Sequence, residues 1–336
     1  MTRDVLTETL TDFGMSGVFY AVSDLRAPWG MEIPALPGTV VFHLVTAGEM
    51  VLEVGDERHW MRAGDMALVP TGLGHSVLDA PGSEAVPLFD LPRIEVAERY
   101  ERLSIPGPGA AAELVCGAVS FSGLGVARLL RSLPSILPAG DGGDAAWMRA
   151  AFEVIGAESR SPRPGSDVVT ARLADVLVVQ VVRAWLESGE QDRGWVAGLR
   201  DPQVGRALAA FHAGPGAAWT LASLADEAGM SRSAFAERFR DTLGEPAMSY
   251  VTAWRMDLAA RMVRERGLSL ARIAERVGYQ SEAAFNRAFR RAHGMTPGAY
   301  ARRDPAEMVL PAGLVAQLAP KPRGPVDPAH ADPSSR

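Results

Sequence analysis

Cysteine and lysine are almost missing from this chain of 336 residues: each occurs once, as Cys116 and Lys321. A single thiol excludes a disulfide framework within the chain and a cysteine-based zinc site. No apolar run approaches the roughly 18 residues that a membrane-spanning helix needs. The first residues lack the basic, apolar and small-residue succession of a secretory signal. The expected location is the cytoplasm, with no membrane partner. With a single lysine, positive charge falls to arginine almost throughout, which reads as compositional bias.

What is present is ordinary globular material, 47% hydrophobic and 22% charged, in a length that suits two domains. The net charge of -6 hides a division. Residues 1–218 carry 17 Arg against 27 Asp and Glu, whereas 219–303 carry 14 Arg against 9. The second segment is thus a basic module in an acidic protein, which suits a phosphate-bearing partner. From Pro305 onward 7 prolines fall in 32 residues with little periodicity. Residues 304–336 are therefore expected to be a disordered tail.

The basic module repeats itself. Leu221, Leu224, Ala225, Ala228 and Gly229 recur as Leu270, Ile273, Ala274, Val277 and Gly278, an offset of 49. Phe235, Phe239 and Gly244 recur as Phe285, Phe289 and Gly294, an offset of 50. Each copy is an apolar i, i+3, i+4, i+7 stripe, a glycine turn, a Ser at a helix start and a second helix. That is the helix-turn-helix plan. Between the copies, Pro246–Arg264 reads as one helix of about 28 Å at 1.5 Å per residue. Such a spacer could set two recognition helices near the 34 Å of one DNA turn. The apolar Phe pairs must point inward, which leaves Ser233, Glu237, Asn286 and Arg287 as candidates for base edges. Arginine suits guanine, asparagine adenine, and glutamate a cytosine amino group. Arg232, Arg240, Arg290 and Arg291 are assigned to phosphates.

Upstream, Val40–Val45, Met50–Val54, Met66–Val69 and Leu114–Val119 read as strands, separated by turn residues at 47–49, 55–56 and 63–65. Gly and Pro are common from 81 to 109, so loops are expected there. Helices follow over 144–158 and Asp167–Glu187. The second shows only a narrow polar stripe: Arg172, Asp175, Gln180, Arg183 and Glu187. Its wide apolar arc packs either wholly within its own domain or partly against a second subunit. Residues 191–200 read as a polar linker, and Asp201–Ala213 as the first helix of the repeat module.

Leu221–Ser231 with Phe235 and Phe239, then Ile273–Tyr279, Phe285–Phe289 and Gly294–Pro297 through Tyr300, resemble the DNA-binding domain of the AraC/XylS family of bacterial transcription regulators. The resemblance covers 201–303. It implies promoter DNA as partner, RNA polymerase as a further one, and a homodimer. The first recognition helix departs from the family by carrying Ser233, Ala236 and Glu237, where relatives often place larger polar residues.

Gly64-Asp-Met-Ala-Leu-Val-Pro70-Thr-Gly72-Leu-Gly-His75 resembles the second motif of the cupin barrel. The stretch Arg26–Met31, which holds Trp29, resembles the cupin-type effector domain of AraC relatives. The fold class implied is α+β with two domains: a cupin-like barrel (about 18–120) with accessory helices (about 144–187) within 1–190, then an all-α double helix-turn-helix. His43, His75 and Trp29 are the ligand-pocket candidates for a small-molecule effector. A metal would need a third ligand from Glu32, Glu49 or Asp79, and two ligands fall short of a site. No metal or cofactor is expected, and no catalysis. The alternative is a metal-dependent cupin enzyme fused to a DNA-binding module. Cys116 reads as a buried strand cysteine; as an oxidant sensor it lacks a resolving partner.

Overall fold

The computed structural model describes residues 14–302, apart from 98–99, 123–124, 140–144, 162, 190–192 and 266. The tail expected over 304–336 lies outside the described residues. In chain order the first strands are β1 (Gly14–Arg26), β2 (Gly30–Ile33), β3 (Thr39–Ala47), β4 (Glu49–Val54), β5 (Glu57–Arg62) and β6 (Met66–Val69). They are followed by β7 (His75–Leu78), β8 (Val86–Pro87), β9 (Arg93–Ala97), β10 (Tyr100–Ile105), β11 (Ala111–Ser122) and β12 (Leu137–Pro138). A seven-stranded sheet runs β12-β6-β3-β11-β1-β10-β9 and faces a five-stranded sheet, β5-β4-β7-β2-β8.

The central strands of the seven-stranded sheet are buried on both faces, and the pleat sorts their side chains. Phe19, Ala21 and Leu25 of β1, with Val41 and Val45 of β3, enter the space between the sheets and meet Met31, Ile33, Met50, Leu52 and Val77. Tyr20, Val22, Val40, Phe42 and Leu44 turn the other way, into a core shared with helices. β3 therefore has no solvent face, and its sequence shows an apolar run instead of an alternation. Gly72 sits at φ +60° in the turn before β7, where a Cβ would stand 2.0 Å from the Leu36 carbonyl oxygen. Only glycine passes there, and this close approach fixes how His75 enters the barrel.

The helices are α1 (Val126–Arg131), α2 (Ala145–Arg160), α3 (Ser166–Ser188), α4 (Trp195–Arg200), α5 (Val204–Ala213) and α6 (Leu221–Ala228). After them come α7 (Arg232–Leu243), α8 (Ala247–Glu265), α9 (Leu270–Arg276), α10 (Glu282–His293) and α11 (Pro297–Arg302). On α3 the residues Leu177, Val178, Val181 and Val182 are buried, while Val168, Val169 and Val176 stay exposed. The wide apolar arc is thus only partly covered by its own domain.

Four expectations need correction. The stretch 81–109 holds β9 and β10 and not only loops; the edge position of β9 lets Ile94 and Val96 stay exposed, so no buried pattern marked it. Asp175 does not belong to a solvent stripe, because it is buried and accepts the Tyr20 hydroxyl proton at 2.6 Å, tying α3 to β1. The segment read as a polar linker contains α4, with Trp195 and Val196 buried. Finally, Asp201 precedes α5, its carboxylate accepting the Gln203 and Val204 amides at 2.9 Å each.

Candidate functional site

Each helix-turn-helix is assembled by local chemistry. Thr220 and Ser223 form a reciprocal capping box at the start of α6. Ser231, Ser269 and Ser281 cap α7, α9 and α10 through their hydroxyl oxygens. Gly229 ends α6 in the left-handed region, and Gly278 holds the same conformation just past α9. The extra residue of the second copy is Tyr279, packed edge-on against Phe285.

Phe235, Phe239, Phe285 and Phe289 are fully buried. That turns Arg232, Ser233, Glu237 and Arg240 of α7 to solvent, and Arg287, Arg290 and Arg291 of α10; Asn286 is half-buried beside them. None of these five arginines makes a hydrogen bond or ion pair with another described side chain, so their donors face outward. Under the repeat offset Glu237 matches Arg287, and Asp241 matches Arg291. The two recognition faces therefore differ in charge, the second being the more positive. α8 joins them: Tyr250, Val251 and Trp254 pack with the first unit, and Met256, Ala259, Ala260 and Val263 with the second.

Inside the barrel, β3 pairs with β11 so that Cys116 stands opposite His43. A chain of contacts crosses from one sheet to the other: Cys116 Sγ to His43 Nδ1 at 3.0 Å, His43 Nε2 to His75 Nε2 at 2.8 Å, and His75 Nδ1 to the Leu73 carbonyl at 2.6 Å. A carbonyl only accepts, so His75 Nδ1–H donates to Leu73. Neutral His75 then accepts from His43 Nε2–H, and neutral His43 accepts the Cys116 thiol proton. Burial favours these neutral forms. It holds His43 well below its ordinary pKa with help from neighbouring His75, lowers His75 to about 4, and pushes Cys116 up to about 12.

Beside this chain lies a cavity of about 20 Å³, walled by Phe19, Met31, Ile33, Val41, Val77 and Leu88, with Ser23, His43 and Cys116 as its polar members. Of the three pocket candidates only His43 lines it. His75 stands behind His43, and Trp29 is buried in the same core away from the cavity. Glu32 and Glu49 are exposed, so neither is a third ligand. The neighbour that does reach His43 is Cys116, but His43 lies between the other two with both ring nitrogens engaged. These three groups do not converge on one point and do not fit a metal centre. Among the described residues no group of three or more His, Cys, Asp or Glu has the arrangement to hold a metal ion.

Comparison with known proteins agrees with both halves. A family described as cupin matches residues 4–187, and one described as a helix-turn-helix domain matches 224–303. An AraC-like transcription regulator of Streptomyces lividans is 36% identical over 308 residues, covering 90% of this chain and 98% of the relative. One from Streptomyces antibioticus is 34% identical over 311 residues, covering 90% and 98%. The chain belongs to the AraC-like transcription regulators. Among solved structures, the DNA-binding domain of AdpA in complex with a target DNA is 30% identical, covers 30% of this chain and 90% of that domain, and has a TM-score of 0.28. This AraC-like regulator thus joins a cupin-like ligand-binding domain to a helix-turn-helix domain that binds double-stranded DNA. No helix among its described residues is long and apolar enough to cross a membrane.

The regulator also contains functional architecture that residue counting missed. Several of its arginines are internal braces. Arg206 donates to the Ala228 carbonyl at 2.6 Å, Arg255 to that of Pro215 at 2.8 Å, and Arg238 of α7 is paired with Asp201 at 2.8 Å. Those arginines close helix ends and loops. The Cys116–His43 pairing was equally hidden, because it depends on the register of strands 73 residues apart.

Proposed function

We propose that this regulator reads two adjacent major-groove segments, mainly through its second unit, and that its barrel cavity governs the reading. The observation that carries it is the pair of capped recognition helices held on one connecting helix, with exposed Arg287 and half-buried Asn286 on the second. Asn286 and Arg287 contact base edges, Ser233 and Glu237 make weaker base contacts, and Arg232, Arg240, Arg290 and Arg291 hold phosphates. At about 20 Å³ the cavity has room for about one water, so an effector enters by widening it, and its uncharged walls and neutral histidine favour an uncharged one. Such an effector acts through unequal affinity for two states of the protein. RNA polymerase is the further partner, and the cytoplasm the working location.

Duplexes enriched from a random library by the full chain test the base assignments. Arg287→Ala is expected to relax preference at one base position, a loss of about 1–3 kcal/mol of discrimination there. Arg240→Ala should instead weaken all sequences alike and lower the salt slope of binding by about 1. Identical behaviour of the two variants would sink the division into base and phosphate contacts.

The assembly is a homodimer through α2 and α3. Trp147 and Val154 on α2, and Val169 and Val176 on α3, are exposed at i, i+7 spacing, an apolar stripe on each of two packed helices. Val169→Glu with Val176→Glu should convert dimer to monomer in sedimentation velocity while leaving the thermal midpoint nearly unchanged. A wild-type chain that sediments as a monomer at micromolar concentration defeats this assignment.

A further inference from the structure

We propose that Arg128 is a positioning residue through which the sensor barrel holds the first helix-turn-helix unit in its DNA-reading orientation. Arg128 lies on α1, the helix that leaves β11, and is only 7% exposed. Its guanidinium donates to Glu245 at 2.5 Å and stacks 4.2 Å over the Tyr250 ring. Glu245 lies in the turn between α7 and α8, and Tyr250 on α8, so one sensor-side arginine grips the frame of the first recognition helix. A buried guanidinium with a planar carboxylate and an aromatic face is a directional contact that lysine does not reproduce.

A second set of bonds converges on the same place. The Gly194 amide donates to the Thr242 carbonyl at 2.7 Å, joining the entry to α4 to the end of α7. The Trp195 amide donates to Ser132 Oγ at 3.2 Å, and Ser132 Oγ to the Arg128 carbonyl at 3.0 Å. The Trp195 indole donates to the Tyr250 hydroxyl at 2.8 Å. α4 is thereby fastened to α1 on one side and to the first unit on the other.

The apolar core repeats this division. One cluster runs from Val115 and Val119 of β11 through Val126, Leu129 and Leu130 of α1 to Phe211, Phe235 and Phe239 of the first unit. The second unit has a cluster of its own. On β11, Cys116 faces the cavity while its neighbour Val115 faces the cluster shared with α1. Cavity and clamp are thus separated by one strand. The first recognition face is also the one with Glu237 in place of Arg287. Weak in base contacts of its own, it depends on being held.

The test uses the full chain and two duplexes derived from the library-selected sequence, one intact and one with the segment under the first unit scrambled. Arg128→Gln is expected to raise the Kd for the intact duplex about ten-fold and to change that for the scrambled one less than two-fold. Glu245→Gln should show the same pattern more mildly, and Arg128→Lys should recover only part of the loss. If Arg128→Gln does not fold by circular dichroism, Glu245→Gln decides, since its side chain is one-third exposed. The proposal rests on the two-segment reading above. A wild-type chain that binds both duplexes equally overturns that reading and this proposal with it. A discriminating wild type whose variants lose equally on both duplexes, or on neither, overturns the positioning role alone.

Discussion

Replacing Phe289 by Ala should melt the second helix-turn-helix as a separate transition, whereas Phe239→Ala should not detach the first. Both rings are fully buried and sit at matching positions of the repeat. Truncating a buried phenylalanine costs about 3–5 kcal/mol. The difference lies in what surrounds each ring. Phe289 packs against Phe285, His293 and Tyr300 in a cluster of 11 buried residues that includes four alanines. A core that small has little stability in excess. Phe239 belongs to the cluster continuous with α1 to α4 and the outer face of the seven-stranded sheet, so its loss is shared by a much larger unit. Tryptophan gives the discriminating probe, because the last of the seven is Trp254 and none follows in the second unit. For Phe289→Ala, far-ultraviolet circular dichroism should show an early loss of helix while the tryptophan fluorescence midpoint stays near wild type. For Phe239→Ala, both signals should shift together. Joint shifts in both variants would mean that the chain unfolds as one body.

The repeat could be read from the sequence because helix caps, glycine turns and buried Phe pairs are local, and local chemistry is written in short spacings. Ser231 and Ser281, Gly229 and Gly278, and the four phenylalanines all stand in the structure where their spacing put them. The barrel was legible in its apolar runs and glycine turns, as at Leu114–Val119 and from β3 to β4, but not in its strand pairings. β1 and β10 pair in parallel across some 80 residues, and no local pattern announces such a partner. The same limit hid the sensor chemistry. His43 and His75 could be nominated through the resemblance to the cupin barrel, but the third member, Cys116, arrives through the β3–β11 register. The supposed linker failed for a related reason: its glycine and charged residues suggested solvent, while the burial of Trp195 depends on α8 supplying Tyr250 and Trp254. Arginine counting correctly marked the basic module, yet could not tell Arg287 from Arg238, since only folding brings Asp201 to the latter.

Acidification from pH 6.5 to 5 should destabilise the barrel and the first unit by roughly 2 kcal/mol for each buried neutral histidine. Three are involved. His43 is held well below its ordinary pKa by burial and by His75, His75 is lowered to about 4, and His212 is lowered to about 3 by burial and nearby Arg128. At His212 the geometry repeats the logic of the barrel chain. The Tyr250 hydroxyl accepts from Trp195 and donates to His212 Nε2 at 2.8 Å, so a proton taken up by that nitrogen breaks the bond. In the unfolded chain these imidazoles titrate near 6.5, above their folded values, so below that pH the unfolded state binds more protons. Their contribution is complete above about pH 6.5 and is lost as pH falls toward the folded pKa values. Most carboxylates titrate below about pH 5; Asp257, raised by burial, is an exception and opposes the histidines, since the folded state then binds the extra proton. Urea midpoints followed by tryptophan fluorescence at pH 7.5, 6.5, 5.8 and 5 should therefore fall steadily. His75→Asn removes one titrating group and should flatten the slope even though it lowers the midpoint at pH 7.5 by breaking the bond to His43. A wild-type midpoint that stays level across the window, or a slope untouched by His75→Asn, would show that these histidines are not held neutral by the fold.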